Sequence, residues 1–364
     1  MRRSRLTALV AVAAVPLGIL AACSGGGDEA APAPSSTIPV TAKPEPEPIV
    51  VAPLTGLPLE DDALLDRPAL VVKVDNHNKD ARPQVGLDLA DVVYEELVEG
   101  GATRFAAVFH SGDADPVGPV RSARTTDVDL TANLNRPLFA WSGANAGVSR
   151  QIRSAALVDM GWDAVPKEYY RATGRRAPNN LFTRTSRLFE LAPDDVGAAP
   201  ALFRFRGEGD AVPAGATPAE GLRINFGGST NLSVEWTWDA GTDRWVRTQA
   251  GTPHTVEDGT RISAENVVVQ FVRYVNSGFV DTSGAASPEA EMVGEGEVWV
   301  LTAGRVVRGT WRRSAAGVLT VYTASTGAEI ALTPGRTWVE LPRPGQATVI
   351  EPTPPQPAVR STDF

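Results

Sequence analysis

Apolar and polar positions follow two regimes along the chain. In the first half, short apolar runs alternate with stretches of helical spacing. Ala69-Leu-Val-Val-Lys-Val74 is a near-continuous β-branched run ending in Asp75-Asn76-His77-Asn78, which predicts a buried strand running out into a turn. Asp91-Val-Val-Tyr-Glu-Glu-Leu-Val and Thr103-Arg-Phe-Ala-Ala-Val-Phe-His predict a strand pair around a Glu99-Gly100-Gly101 turn. A helix is expected through Val128–Leu134, a short strand over Leu138–Trp141, a helix from Val148 to about Ala156 and another over Ser186–Leu191. From Leu222 onward strand-turn-strand signals recur, as in Leu232–Trp238 with its Asp239-Ala-Gly-Thr turn, Asn266–Tyr274, Glu297–Leu301, Val306–Trp311, Leu319–Thr323 and Thr337–Leu341.

The predicted fold class is therefore α+β. An N-terminal mixed α/β domain over 53–195 is followed by a smaller, mainly antiparallel β domain over 221–343, a curled sheet or barrel. The Ala-, Pro- and Gly-rich stretch 196–220 is the linker. Six of the eight tryptophans lie between Trp236 and Trp338 and are assigned to the core of the β domain. A length of 364 residues and a hydrophobic content of 43% suit two globular domains.

The ends read differently. Met1-Arg-Arg-Ser-Arg precedes an apolar run, Leu6–Ala22, that is broken by Pro16 and short for a membrane span. Residues 1–22 are read as a secretory signal. Leu20-Ala-Ala-Cys23 has the small-residue pattern that resembles a bacterial lipobox, which would make Cys23 the lipidated first residue of an extracytoplasmic protein anchored to the cell membrane. Cys23 is the only cysteine, so no disulfide, thiolate metal site or cysteine nucleophile remains once it is acylated. Residues 23–52, with Lys43-Pro-Glu-Pro-Glu-Pro, have almost nothing to bury and read as a tether. At about 3.1 Å per residue, such a proline-rich segment reaches roughly 80 Å from the lipid. Residues 344–364 read as a Pro-rich tail.

Charge narrows the partners. The net charge is −9, and loss of Arg2, Arg3 and Arg5 with the signal makes it three units more negative. Such a chain is repelled on average by nucleic acid and by anionic lipid, so nucleic acid is excluded as a partner. An anionic ligand has to be held by a local arginine cluster. One is available around Gly118-Pro-Val-Arg-Ser-Ala-Arg-Thr-Thr-Asp127. If the chain is helical from Val120, Arg121 and Arg124 share one face and can clasp a phosphate or carboxylate. The candidate ligand-binding residues are Arg82, Arg104, Arg121, Arg124, Asp75, Glu95, Glu99 and Asp127. The competing reading of the same residues is an internal ion-pair network.

Other chemistries are weaker. Glu95 and Glu96 are adjacent on a strand and must point to opposite faces, so they cannot act as a glycosidase pair. His77, His110 and His254 sit in separate segments with no paired-histidine motif, and no metal or cofactor is assigned. An oxygen-ligand Mg or Ca site from Asp75, Glu95 and Asp127 stays open. Ser122 and Ser142 lack the context of an activated nucleophile. The loop holding Tyr169-Tyr-Arg and Gly174-Arg-Arg-Ala-Pro-Asn-Asn180 is a second site candidate, because long irregular segments in compact domains often carry function.

Several motifs together resemble the YerB-like bacterial lipoproteins, a family defined by a domain of unknown function. They are Arg67-Pro68, Arg82-Pro-Gln84, Ala90-Asp-Val-Val-Tyr-Glu95, Glu99-Gly-Gly-Ala-Thr-Arg104, Gly118–Arg124, Gly304–Trp311 and Pro334-Gly-Arg-Thr-Trp338. The resemblance implies a two-part domain on a lipid anchor and supplies no activity. Three readings follow. The first is an envelope lipoprotein that binds an anionic cell-wall component or a partner protein through the arginines. The second is a metal-assisted enzyme acting on phosphate or pyrophosphate linkages of wall precursors. The third is an envelope scaffold working through the β domain.

Overall fold

The computed structural model describes residues 49–353 apart from 78, 229–231 and 282–283. The signal segment, Cys23, most of the tether and residues 354–364 lie outside the described residues. No described helix is long and apolar enough to cross a membrane.

The first half forms β1 (Leu70–Asn76), β2 (Val92–Leu97), β3 (Thr103–Phe109), β4 (Leu138–Ala140), β5 (Val158–Asp159), β6 (Tyr169–Arg171) and β7 (Leu181–Thr183). Its helices are short: α1 (Thr126–Thr131), α2 (Ala146–Ser154) and α3 (Thr185–Phe189). The second half is strands throughout. They are β8 (Thr217–Pro218), β9 (Gly221–Asn225), β10 (Ser233–Asp239), β11 (Arg244–Gln249), β12 (Thr252–Pro253), β13 (Ser263–Ala264), β14 (Asn266–Gln270), β15 (Tyr274–Val280), β16 (Ala286–Ala290), β17 (Gly294–Thr302), β18 (Arg305–Arg313), β19 (Val321–Ala324), β20 (Thr337–Glu340) and β21 (Ala347–Ile350).

One large sheet takes strands from both halves, in the order β19-β18-β17-β14-β20-β2-β3-β1-β4-β5. β20 lies parallel to a neighbour on each side: Val339 faces Val268 of β14 and Tyr94 of β2. A strand buried on both edges and both faces must be nearly all apolar or internally paired, and Thr337-Trp-Val-Glu340 is fully buried. The break in sequence character at 196–220 is real, but backbone hydrogen bonding passes across it, and Ile49–Phe364 behaves as one compact unit. The expected separate β barrel does not form.

Side-chain alternation sorts the two faces of this sheet. Leu70, Val72, Val74, Val93, Phe105, Val267 and Trp338 point to one face. There they meet a second sheet ordered β12-β11-β10-β9-β21, whose Leu222, Ile224, Val234, Trp236 and Trp245 complete that core. Val71, Val92, Ala106, Val108, Val268 and Val339 point to the other face, under α1, α2 and the segment around Leu202–Phe203. The fold is thus mainly β, with α1 and α2 on one side and α3, through Leu188, packed into the other core. The expected Pro-rich tail starts too early in the prediction: Ala347–Ile350 is an ordered strand paired with β9. Trp236 and Trp245 are core, as expected, while Trp238 and Trp299 are only partly buried.

This interleaving makes a direct prediction. Residues 49–197 expressed alone leave β2 without β20 and expose Val92, Val93 and Leu97, so they should lack a cooperative thermal transition, as should 220–353 alone. A sharp two-state melt for either fragment, followed by circular dichroism, would show that the halves are independent.

Candidate functional site

Charged residues at one end of β1, β2 and β3 are divided by the pleat. Glu95, Asn76 and Thr103 point to one face, and Lys73, Asp75, Glu96 and Arg104 to the other. Register brings the latter together: Asp75 lies opposite Arg104, and Arg104 lies opposite Glu96.

Above this second face is a pocket of about 550 Å³. Its basic wall consists of Arg104 from β3 with Arg121 and Arg124 from the loop after Gly118. That loop is not helical, contrary to expectation, and α1 begins only at Thr126. The two arginines are instead placed by backbone pairing, in which Arg121 N–H donates to Lys73 O at 2.9 Å and Arg121 O accepts from Ser142 N–H at 3.0 Å. Arg121 Nε donates to Asp75 Oδ2 at 2.9 Å, and its two Nη groups have no acceptor among the described residues. Asp75 is further held by Asn179 Nδ2 at 2.9 Å. Arg104 Nη1 donates to Ser122 O at 3.2 Å, while its buried Nε, 3.8 Å from Asp75, makes no hydrogen bond. Burial, with Arg124 next, pushes the Arg104 guanidinium down to about 10, so it stays charged at neutral pH.

Arg124 makes a fork-to-fork pair with Glu99, Nε to Oε1 at 2.8 Å and Nη2 to Oε2 at 2.5 Å, and Ser287 Oγ donates to Glu99 Oε1 at 2.6 Å. Burial acts to raise the Glu99 carboxyl, but Arg124 outweighs it and holds the group below its usual range. Opposite stand the start of α2, capped by Asn145 Oδ1 accepting from Gly147 N–H at 2.8 Å, and the β15–β16 hairpin carrying Phe279, Val280 and Asp281. The hairpin is fixed at its base: Tyr274 Oη accepts from Leu97 N–H at 3.1 Å and donates to Leu341 O at 2.8 Å.

Beneath the arginines, Lys73 lies 2.5 Å from Glu96 Oε1 and 2.8 Å from Asp127 Oδ1, all three side chains fully buried. Asp127 Oδ2 also accepts from Arg124 N–H at 2.7 Å. Burial first, then the neighbouring Asp127, raise the Glu96 carboxyl to about 7 against the pull of Lys73. Asp127 thus supports the pocket from below and does not line it.

Two predicted site residues belong elsewhere. Glu95 is on the opposite face, where Arg247 Nη2 donates to its Oε2 at 2.5 Å. It lies beside Glu340, its register partner on β20, whose carboxyl is raised well above its usual range by burial and then by Glu95. Trp236 Nε1 donates to Glu340 at 2.7 Å, and Arg247 lies 5.2 Å from the Trp338 ring centroid. Arg82 joins this same face: burial, then Arg247, lower its pKa. Both residues are therefore remote from the pocket: Glu95 because a one-residue step along a strand crosses the sheet, and Arg82 because the loop after β1 carries it to that same face. For the same reason Asp75, Glu95 and Asp127 do not converge on a cation, and no group of three potential ligands occurs among the described residues.

The second candidate loop contributes through Asn179, and Arg175 instead pairs with Glu257 at 2.9 Å. Residues missed in the sequence are Asn145, Val148, Phe279, Asp281 and Ser287. Asn145 carried a visible N-cap signal ahead of α2. Phe279 and Ser287 carried none, since only chain crossing places the hairpin there.

Comparison with known proteins adds the family. Residues 54–197 match the model described as "Protein of unknown function (DUF3048) N-terminal domain", and residues 222–339 match its C-terminal counterpart. The chain belongs to this two-part family. It is 32% identical over 300 residues to "Putative lipoprotein YerB" of Bacillus subtilis, an alignment covering 80% of this chain and 85% of that protein. The crystal structure of YerB from Bacillus subtilis is similar with a TM-score of 0.71 at 26% identity, covering 83% of this chain and all of that one. In family terms, the basic wall comes from the N-terminal part and the hairpin wall from the C-terminal part.

Glu96 gives this region a measurable pH signature. A carboxyl raised in the folded state contributes stability that is fully present below its unfolded pKa of 4.5 and is lost as pH rises through about 7. Between about pH 5 and about pH 8 the denaturant midpoint should fall, and Glu96→Gln should flatten that decline. An unchanged slope in the variant would place the titrating group elsewhere.

Proposed function

We propose that this chain is a lipid-anchored protein of the bacterial envelope that uses the Arg104–Arg121–Arg124 wall to bind an anionic group of a cell-wall component or partner protein. The observation that carries this reading is Arg121. Its Nε is spent on Asp75, and its remaining donors open onto a pocket that could hold a ligand. The lipid anchor is supported by the Leu20-Ala-Ala-Cys23 motif and by the lipoprotein name of the Bacillus subtilis relative. The bound anion brings its charge into a cluster already balanced as four cations, Lys73, Arg104, Arg121 and Arg124, against the carboxyls of Asp75, Glu96, Glu99 and Asp127. Proton uptake by Glu96 is the natural way for the cluster to accept it.

Arg121→Ala is the discriminating variant, because Arg121 is the most exposed of the three arginines and Asn179 still holds Asp75. With the full-length protein, affinity for purified anionic wall polymer and for inorganic phosphate should drop by about 10- to 100-fold, the worth of a charge-assisted hydrogen bond or two. Affinity of the wild type should also fall with added salt. Equal binding by wild type and variant would remove the reading.

A further inference from the structure

The two walls of the pocket differ in chemistry, and the difference selects among anions. The donors come from two segments: both Nη groups of Arg121 and the Nη2 group of Arg104. Arg104 is only 4% exposed, and its Nε, 3.8 Å from Asp75, makes no hydrogen bond, so the site holds a largely desolvated cation. Three Nη groups from two arginines can meet three oxygens of a phosphoryl group, one more than a carboxylate offers.

The facing wall is neither basic nor greasy. Phe279 and Val148 present apolar surface, while Asp281 and the Glu99 that Arg124 and Ser287 already hold place carboxylate oxygens on the lining. A second phosphoryl group would lie against the carboxylates of Asp281 and Glu99. Hydroxyl groups donate to such oxygens, and the C–H face of a sugar packs on an aromatic ring. A volume of about 550 Å³ exceeds what a bare phosphate needs.

We propose that the anion is a phosphate monoester on an uncharged, hydroxyl-rich body, that is, a sugar or polyol phosphate with its phosphoryl group on Arg104 and Arg121 and its body against Phe279. This inference rests on the anion-binding reading above. Phe279 is the specificity residue, and its position depends on Gly147: a Cβ there would lie 2.1 Å from Phe279 Cε1. Asn145 Nδ2, donating to Val280 O at 3.1 Å, ties the same hairpin to the cap of α2.

The test is titration of the full-length protein with glucose 1-phosphate, inorganic phosphate, pyrophosphate and glucuronate. Glucose 1-phosphate should bind about tenfold tighter than each of the others. Phe279→Ala should lower its affinity to that of inorganic phosphate. Gly147→Ala, which favours the helix and displaces only the ring, should do the same by a separate route. Arg121→Ala should weaken glucose 1-phosphate and inorganic phosphate alike. If inorganic phosphate, pyrophosphate or glucuronate binds as tightly as the sugar phosphate, or if neither Phe279→Ala nor Gly147→Ala changes the preference, this inference is overturned and the anion site stands. If none of the four binds, the anion site itself falls.

Discussion

Four residues of β20, inserted between β14 and β2, make one protein of two sequence halves. The strand reaches Val92–Glu95 only after the chain has completed nearly all of the second sheet, so among the strand pairings this one closes the longest loop. Its Trp338 packs edge-on to Phe105 and Trp236, joining three elements from distant parts of the chain. Remove this strand and the first half has an open parallel edge, while the second half has lost the neighbour that aligns β14.

The charges obey the same sheet. Fully buried ions are tolerated only when paired, since desolvating each one costs several kcal/mol. Lys73 between Glu96 and Asp127, and Arg247 between Glu95 and Glu340, meet that condition on opposite faces of the same strands. Both clusters are closed, and both serve the fold. The pocket differs by degree: along the series Lys73, Arg104, Arg124, Arg121, side chains pass from wholly internal partners to one with donors left over. The pocket lies at the point where the internal network reaches solvent.

That point falls on the seam between the two family parts. Neither half contains a complete pocket, for Arg104, Arg121 and Arg124 belong to one and Phe279, Asp281 and Ser287 to the other. The second half is therefore not a free-standing β module, since β20 sits inside the large sheet and the hairpin closes a pocket on the first half.

The sequence alone determined most strands, the presence of helices at α1 and α2 though not their first residues, the opposed directions of Glu95 and Glu96, and the arginine-rich stretch that lines the pocket, because each depends on local period or on neighbouring residues. It also singled out Asp75, Glu99, Arg104, Arg121 and Arg124, which do come together. Only the tertiary structure decided that Arg82 and Glu95 face away, that Asp127 lies beneath the pocket, that β20 erases the domain boundary, and that a hairpin more than 150 residues downstream supplies the facing wall. Those outcomes depend on which face of a strand meets which layer and on pairing between segments far apart in the chain. No local pattern encodes either, since the same alternation is satisfied whichever partner the strand finds.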